Sequence, residues 1–102
     1  MNDPIANKLT ELFGPQCDFN PEWCRQSWRI LGDAAKGVYL LDHGNDEWTL
    51  TWRRVGGEFE DTILEIASFT TQDVSQWITL YGNPAAFLRV LARTKLYEFF
   101  AV

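Results

Sequence analysis

The hydrophobic pattern of the chain changes its period near residue 37, and this change constrains the fold more than any other feature. From residue 37 to residue 68, apolar and polar side chains largely alternate, which is typical of β-strands. Before and after that segment, apolar residues recur at helical spacing. Strands and helices that are segregated along a chain predict an α+β fold. We expect a three-stranded antiparallel meander flanked by N-terminal helices and by two C-terminal helices.

The central segment divides into three predicted strands, at 37–42, 47–55 and 58–68. The sequence HGND separates the first two strands, and hairpin turns favour residues of these types. Gly56 and Gly57 lie between the second and third strands. They predict a two-residue turn, because paired glycines supply the positive φ angles that such a turn requires.

A two-residue turn at these glycines also determines the register of the hairpin. Arg53 would lie opposite Glu60, and this pairing of opposite charges supports the register. Leu50 would lie opposite Ile63. Alternation then predicts one apolar face beneath the helices, made of Trp48, Leu50, Trp52, Phe59 and Ile63. We therefore expect both tryptophans to belong mainly to the core.

Capping signals predict three helices around the meander. The first covers 4–13 and is capped by Asp3, with a proline at its first position. The second follows the threonines at positions 70 and 71 and ends at Gly82. The third opens with an Asn-Pro pair and continues to about residue 100.

The segment 21–31 fits either a helix or a strand. Asn20 suits a helix cap, Pro21 suits the first helical position, and Gly32 suits the end of a helix. Residues 28–32 also alternate as they would in a strand. The capping signals favour the helix.

The length and composition are those of a single domain, covering residues 1–102. The chain is 46% hydrophobic, which is enough apolar surface for a core without disulfide bonds. The net charge of −5 argues against tight binding to duplex DNA, which depends on many basic contacts to phosphate. No apolar run approaches the roughly 20 residues of a membrane span, and the first residues lack the pattern of a signal peptide. We expect a cytoplasmic protein without a cofactor.

Cys17 and Cys24 are expected to be reduced in that compartment. Two thiols without a second ligand pair make a poor zinc site, since such sites normally have four ligands. A free cysteine more often behaves as a small buried apolar residue. The sequence therefore predicts no metal site.

The candidate binding residues lie in the second predicted strand and in the ambiguous segment. Trp52, Arg53 and Arg54 follow one another at the hairpin, and Trp23 lies in the ambiguous segment. Tryptophan and arginine are enriched among the residues that anchor protein interfaces. The same hairpin could stack on unpaired bases, although its acidic neighbours weaken this alternative.

His43 is the only histidine, and it stands among acidic residues in the HGND turn. A histidine oriented by an aspartate could serve as a general base in a small enzyme. Turn chemistry explains every other residue of this loop, and no nucleophile or phosphate-binding motif accompanies it. Catalysis is therefore the weaker hypothesis, and we predict no catalytic residues.

The C-terminal helix has more apolar residues than one covered face can hold. Leu96, Tyr97, Phe99 and Phe100 either pack under the N-terminal helix or form a surface for self-association. The second case predicts a homodimer.

The leading hypothesis is a noncatalytic, acidic protein-interaction module, such as an adaptor, an inhibitor or an immunity-type binding protein. Its partner would be another protein, and nucleic acid or membrane partners are not expected. Binding of single-stranded nucleic acid through the Trp/Arg-rich hairpin is the first alternative. A small enzyme that uses His43 is the second.

Overall fold

A computed structural model describes residues 3–17, 24–56 and 62–100. Across these residues the architecture is α+β, as the sequence predicts, with one antiparallel sheet of order β1-β2-β3-β4 and three helices. The elements in chain order are α1 (Pro4–Phe13), β1 (Gln26–Gly32), β2 (Lys36–Gly44), β3 (Glu47–Arg54), β4 (Thr62–Phe69), α2 (Thr71–Tyr81) and α3 (Ala85–Phe100). The sheet therefore has one strand more than the predicted meander.

The additional strand is β1, so the helical interpretation of this part of segment 21–31 is wrong. Trp28 and Ile30 are both buried in the core, and residues two apart share a side only in a strand. Gly32 does have a positive φ of 83°, but it serves the turn between β1 and β2 rather than a helix end. A Cβ there would collide with the carbonyl oxygen of Lys36. Asp33 closes the same turn by accepting the N–H groups of the residues at 35 and 36.

The predicted register of the β3–β4 hairpin is also wrong. Arg54 pairs with Thr62 and Arg53 with Ile63, which is not the register that a two-residue turn at Gly56 and Gly57 would set. Further along, Leu50 pairs with Ala67 rather than Ile63, after a bulge. Ile63 therefore lies on the outer face, where it is 42% exposed. Phe59 and Glu60 lie outside the described residues.

The observed register of β3 and β4 has a physical reason. In the observed register Phe69 lies opposite Trp48, and Phe69 also packs against Trp77 of α2 with ring centroids 4.7 Å apart. Double glycine permits a tight turn but does not enforce one. Lengthening a loop costs little free energy compared with burying an aromatic ring.

The core lies between the inner face of the sheet and the three helices. Trp28 and Trp48 stack there with centroids 6.1 Å apart, and Trp48 is only 2% exposed. Each indole N–H is satisfied by a helix, since Trp28 donates to Thr10 of α1 and Trp48 donates to Thr71 of α2. The prediction of a core role is confirmed for Trp48, whereas Trp52 is only partly buried.

The helix signals in the sequence are confirmed in detail. Asp3 accepts hydrogen bonds from two backbone N–H groups at the start of α1. Thr70 and Asp73 form a reciprocal capping box at the start of α2, and Gly82 ends that helix. Within the described ranges, no helix is both long and apolar enough to cross a membrane.

Candidate protein-binding groove

Two of the predicted residue sets meet at one end of the sheet. The ring of Trp52 on β3 contacts the ring of Phe100 on α3, with centroids 5.2 Å apart and planes at 72°. Leu96 lies beside them, and a groove of about 450 Å³ opens between the strand and the helix. Its lining consists of Lys36, Trp52, Arg54, Leu96 and Phe100. We call this feature the Trp52 groove.

Regular secondary structure explains how these side chains come together. Trp52 and Arg54 are two apart in β3, so they share the inner side of the sheet. Lys36 is the cross-strand partner of Arg54 and brings a second cation to the same place. Leu96 and Phe100 are four apart in α3 and therefore lie on one helix face.

The Trp52 groove has a neighbouring cleft on the side of the turn between β1 and β2. A smaller apolar cleft of about 190 Å³ adjoins it and shares Lys36, Trp52 and Leu96. Leu31 and Val38 complete the apolar wall of that cleft. The groove is thus shaped to hold an apolar group against Trp52 and Leu96.

The charge around the groove is opposite to that of the whole protein. Lys36 and Arg54 both line it, and none of the described lining residues is acidic. The complete chain, by contrast, carries fourteen acidic residues and nine basic ones. On the adjoining turn of α3, Lys95 lies 3.5 Å from Glu98 in an ion pair. The groove therefore combines an apolar floor with a positive rim.

Exposed apolar side chains continue from the groove over the end of α3. Tyr97 is 76% exposed and Phe100 is 52% exposed, while Leu96 is partly buried against the core. Phe99 packs edge-on against Phe100, with centroids 5.3 Å apart. The described residues thus leave much of this set uncovered, and self-association through it stays a prediction.

Arg53 does not belong to the groove, although it precedes Arg54 in the sequence. It projects from the outer face of the sheet, where it lines a separate cavity with Arg29 and Tyr39. Trp23, the fourth predicted binding residue, lies outside the described residues. The hairpin therefore divides its two arginines between two surfaces.

His43 takes part in a hydrogen-bond chain on the outer face. Its Nε2 lies 2.7 Å from Oγ1 of Thr49, which lies 2.9 Å from Oγ1 of Thr51. Both hydroxyl groups are buried, so this chain fixes the sheet rather than presenting a nucleophile to solvent. Among residues 3–17, 24–56 and 62–100, no three His, Cys, Asp or Glu side chains cluster as metal ligands would.

The two thiols pack against the same outer face, beside Tyr39 and Leu41. Cys24 donates to the carbonyl oxygen of Gln26 at 2.9 Å, and Cys17 lies 3.3 Å from the hydroxyl of Ser27. Burial raises the pKa of the Cys24 thiol above its usual value of 9.0. A thiol held protonated in this way is a poor nucleophile at neutral pH.

Sequence reasoning identified Trp52, Arg54, Leu96 and Phe100 but did not join them into one site, and it missed Lys36. No local pattern marks Lys36, which acquires its place only by pairing with β3. Comparison with protein-family models, with curated proteins and with solved structures finds no match. The geometry of the chain itself must therefore support any functional conclusion.

Proposed function

We propose that this protein is a noncatalytic interaction module whose Trp52 groove binds an acidic, apolar segment of another protein. The observation that carries the proposal is the contact between Trp52 and Phe100, flanked by Lys36 and Arg54. It joins two regions that are far apart in the sequence into one concave, partly apolar surface.

The apolar part of the partner follows from the lining of the groove. Trp52 and Leu96 are only partly buried within the chain. An apolar side chain of the partner would bury the part that is still exposed. Tryptophan and arginine together are the residue types that most often dominate the binding energy of an interface. One leucine or aromatic side chain of the partner would occupy the cleft.

The acidic part of the partner follows from the rim. Carboxylates next to the apolar anchor would approach Lys36 and Arg54, and ion pairs of this kind increase both specificity and the association rate. A second copy of this chain on the same groove is disfavoured. A two-fold contact would place the two cations of each protomer near those of the other.

Selection from a random peptide library on the immobilised protein tests this proposal. We expect enrichment of peptides with one aromatic or leucine residue beside glutamate or aspartate. Their affinity, measured by fluorescence anisotropy, should fall as salt is added and should drop about fivefold in Arg54→Gln, since an ion pair of an exposed side chain contributes up to about 1 kcal/mol.

Arg53→Gln is the matched control, because it removes the same charge from the opposite face of the sheet. Peptides enriched in lysine, or equal losses in the two variants, would overturn the proposal. Light scattering on the free protein tests the alternative that the protein forms a homodimer. A concentration-dependent dimer that Tyr97→Ala abolishes would assign the exposed end of α3 to self-association.

Single-stranded nucleic acid is the second candidate, because Trp52 and Phe100 stand beside two cations and could stack on bases. Quenching of tryptophan fluorescence by a short oligonucleotide, with strong salt dependence, would favour it over the peptide. We expect no quenching, because an acidic chain with two rim cations releases few counterions from phosphate.

A further inference from the structure

The outer face of the sheet contains a second concavity, separate from the Trp52 groove. This cavity has a volume of about 450 Å³ and lies between the segment after α1 and the turn end of β1 and β2. Arg29, Tyr39 and Arg53 contribute from three neighbouring strands, and Phe13 and Gln16 contribute from the segment opposite. Three strands thus present two guanidinium groups and one phenol to the same space.

The sheet register explains why the two arginines are neighbours. Arg29 is the cross-strand partner of Tyr39, and Arg53 is the partner of Gly37 on the adjoining strand pair. Gly37 has no side chain to separate them, and a Cβ there would stand 3.3 Å from Cδ of Arg29. The stem of Arg29 therefore adjoins Gly37, which lies directly opposite Arg53 in the sheet.

The wall opposite the sheet is held in place by hydrogen bonds. The side chain of Gln16 donates to Gln26 at 3.1 Å and accepts from the backbone N–H of Ser27 at 3.4 Å. The backbone N–H of Cys17 donates to the Ser27 carbonyl oxygen at 3.2 Å. This wall is anchored to β1, so the cavity is formed before a ligand arrives.

We propose that this cavity binds a small oxyanion, the phosphate or carboxylate group of a ligand, between Arg29 and Arg53. Arginine presents N–H groups in a planar fork that matches the oxygens of both anions. None of the described lining residues is acidic. The volume is within the range of small-molecule sites.

Both arginines also interact with other groups of the chain. The Asp33 carboxylate accepts the backbone N–H groups of Lys36 and Ala35, which lower its pKa. The charge of Arg29 lowers that pKa further, but to a smaller extent. Arg53 and Tyr39 have further interactions within the chain. A guanidinium carries five N–H donors, so an oxyanion is added to those contacts.

Inorganic phosphate is the probe for the first test, followed by NMR of backbone amides at constant ionic strength. We expect saturable shifts at Arg29, Gly37 and Arg53 with phosphate, and none with an equivalent concentration of chloride. Acetate serves as the carboxylate probe and shows which oxyanion is preferred.

The variants Arg29→Gln and Arg53→Gln should each weaken phosphate binding about tenfold, while Arg53→Lys should recover part of the loss. Arg54→Gln should leave phosphate binding unchanged, because its side chain belongs to the Trp52 groove. Shifts that phosphate and chloride produce equally, or an equal loss in Arg54→Gln, would overturn the inference. Peptide binding depends on Arg54 and phosphate binding on Arg53, so either proposal can fail without the other.

Discussion

The central positions of the two sheet faces are both buried, but by very different side chains. The inner face contributes Trp28, Leu40, Trp48 and Leu50 to one apolar core under the helices. The outer face buries Ser27, Tyr39, Leu41, Thr49 and Thr51, most of which carry a hydroxyl group. At these central positions, burial alone therefore does not distinguish the faces.

The difference shows how the two faces contribute to the protein. Apolar burial is non-directional and supplies most of the free energy of folding. Buried hydroxyl groups contribute little net free energy, but each requires a partner in a defined direction. The inner face therefore provides most of the stability, and the hydrogen bonds of the outer face fix the directions of its buried polar side chains.

The largest expected effect tests the inner face. Trp48→Ala removes a fully buried ring from its stack on Trp28 and leaves Thr71 without its indole donor. We expect a loss of about 3–5 kcal/mol in the free energy of unfolding, measured by urea denaturation. Tyr97→Ala is the control, because that ring is exposed and its removal should change stability by less than about 0.5 kcal/mol. Similar losses in both variants would contradict the assigned core.

A smaller effect is expected on the outer face. Thr49→Val keeps the shape of the side chain but removes the hydroxyl that joins His43 to Thr51. The free energy of unfolding should fall by about 1–2 kcal/mol, because buried polar atoms lose a partner. Thr49→Ser retains the hydroxyl and should recover most of that loss. If Thr49→Val stabilised the protein, the hydrogen bonds of Thr49 would not contribute to stability, and this part of the outer face would behave as an apolar core.

Weakening the start of α2, which covers the inner face, should lower the free energy of unfolding by no more than Thr49→Val does. Thr70→Ala removes one half of the capping box and should cost about 1 kcal/mol in the same denaturation measurement. Thr79→Ala changes an exposed threonine later in the same helix and serves as the matched control. Equal effects of the two variants would show that the capping box contributes no stability.

The smallest expected effect is a dependence on alkaline pH at the outer face. Burial raises the pKa of Cys24 above 9.0, so the folded state holds this proton more tightly than the unfolded state does. The resulting stabilisation is complete below the unfolded pKa and is lost as pH rises through the folded pKa. The difference in stability between the wild type and Cys24→Ala should therefore shrink above pH 9. A difference that stays constant up to the unfolding limit would contradict the shift.

Local signals in the sequence were sufficient for the helices and for part of the sheet. Asp3, Thr70 and Gly82 determine helix ends through their own backbone neighbours, and the structure retains each of them. Alternation likewise located β2 and β3 to within a few residues. These features depend on contacts between residues close in sequence, which a single sequence displays directly.

Segment 21–31 shows where local signals were insufficient. Its capping residues predicted a helix, but burying both Trp28 and Ile30 in the core favours a strand from Gln26 onwards. Tertiary burial of two large side chains outweighs a capping preference of about 1 kcal/mol. The same competition moved β4 away from the register that Gly56 and Gly57 suggested.

The sequence by itself determined the α+β class, the helix boundaries and the apolar character of the tryptophan-rich strand. Only the tertiary structure decided that Arg53 shares a cavity with Arg29, and that Lys36 and Phe100 meet beside Trp52. The physical reason is distance along the chain. A binding surface is assembled from residues whose proximity depends on register and packing, and these are set by the whole core rather than by neighbouring residues.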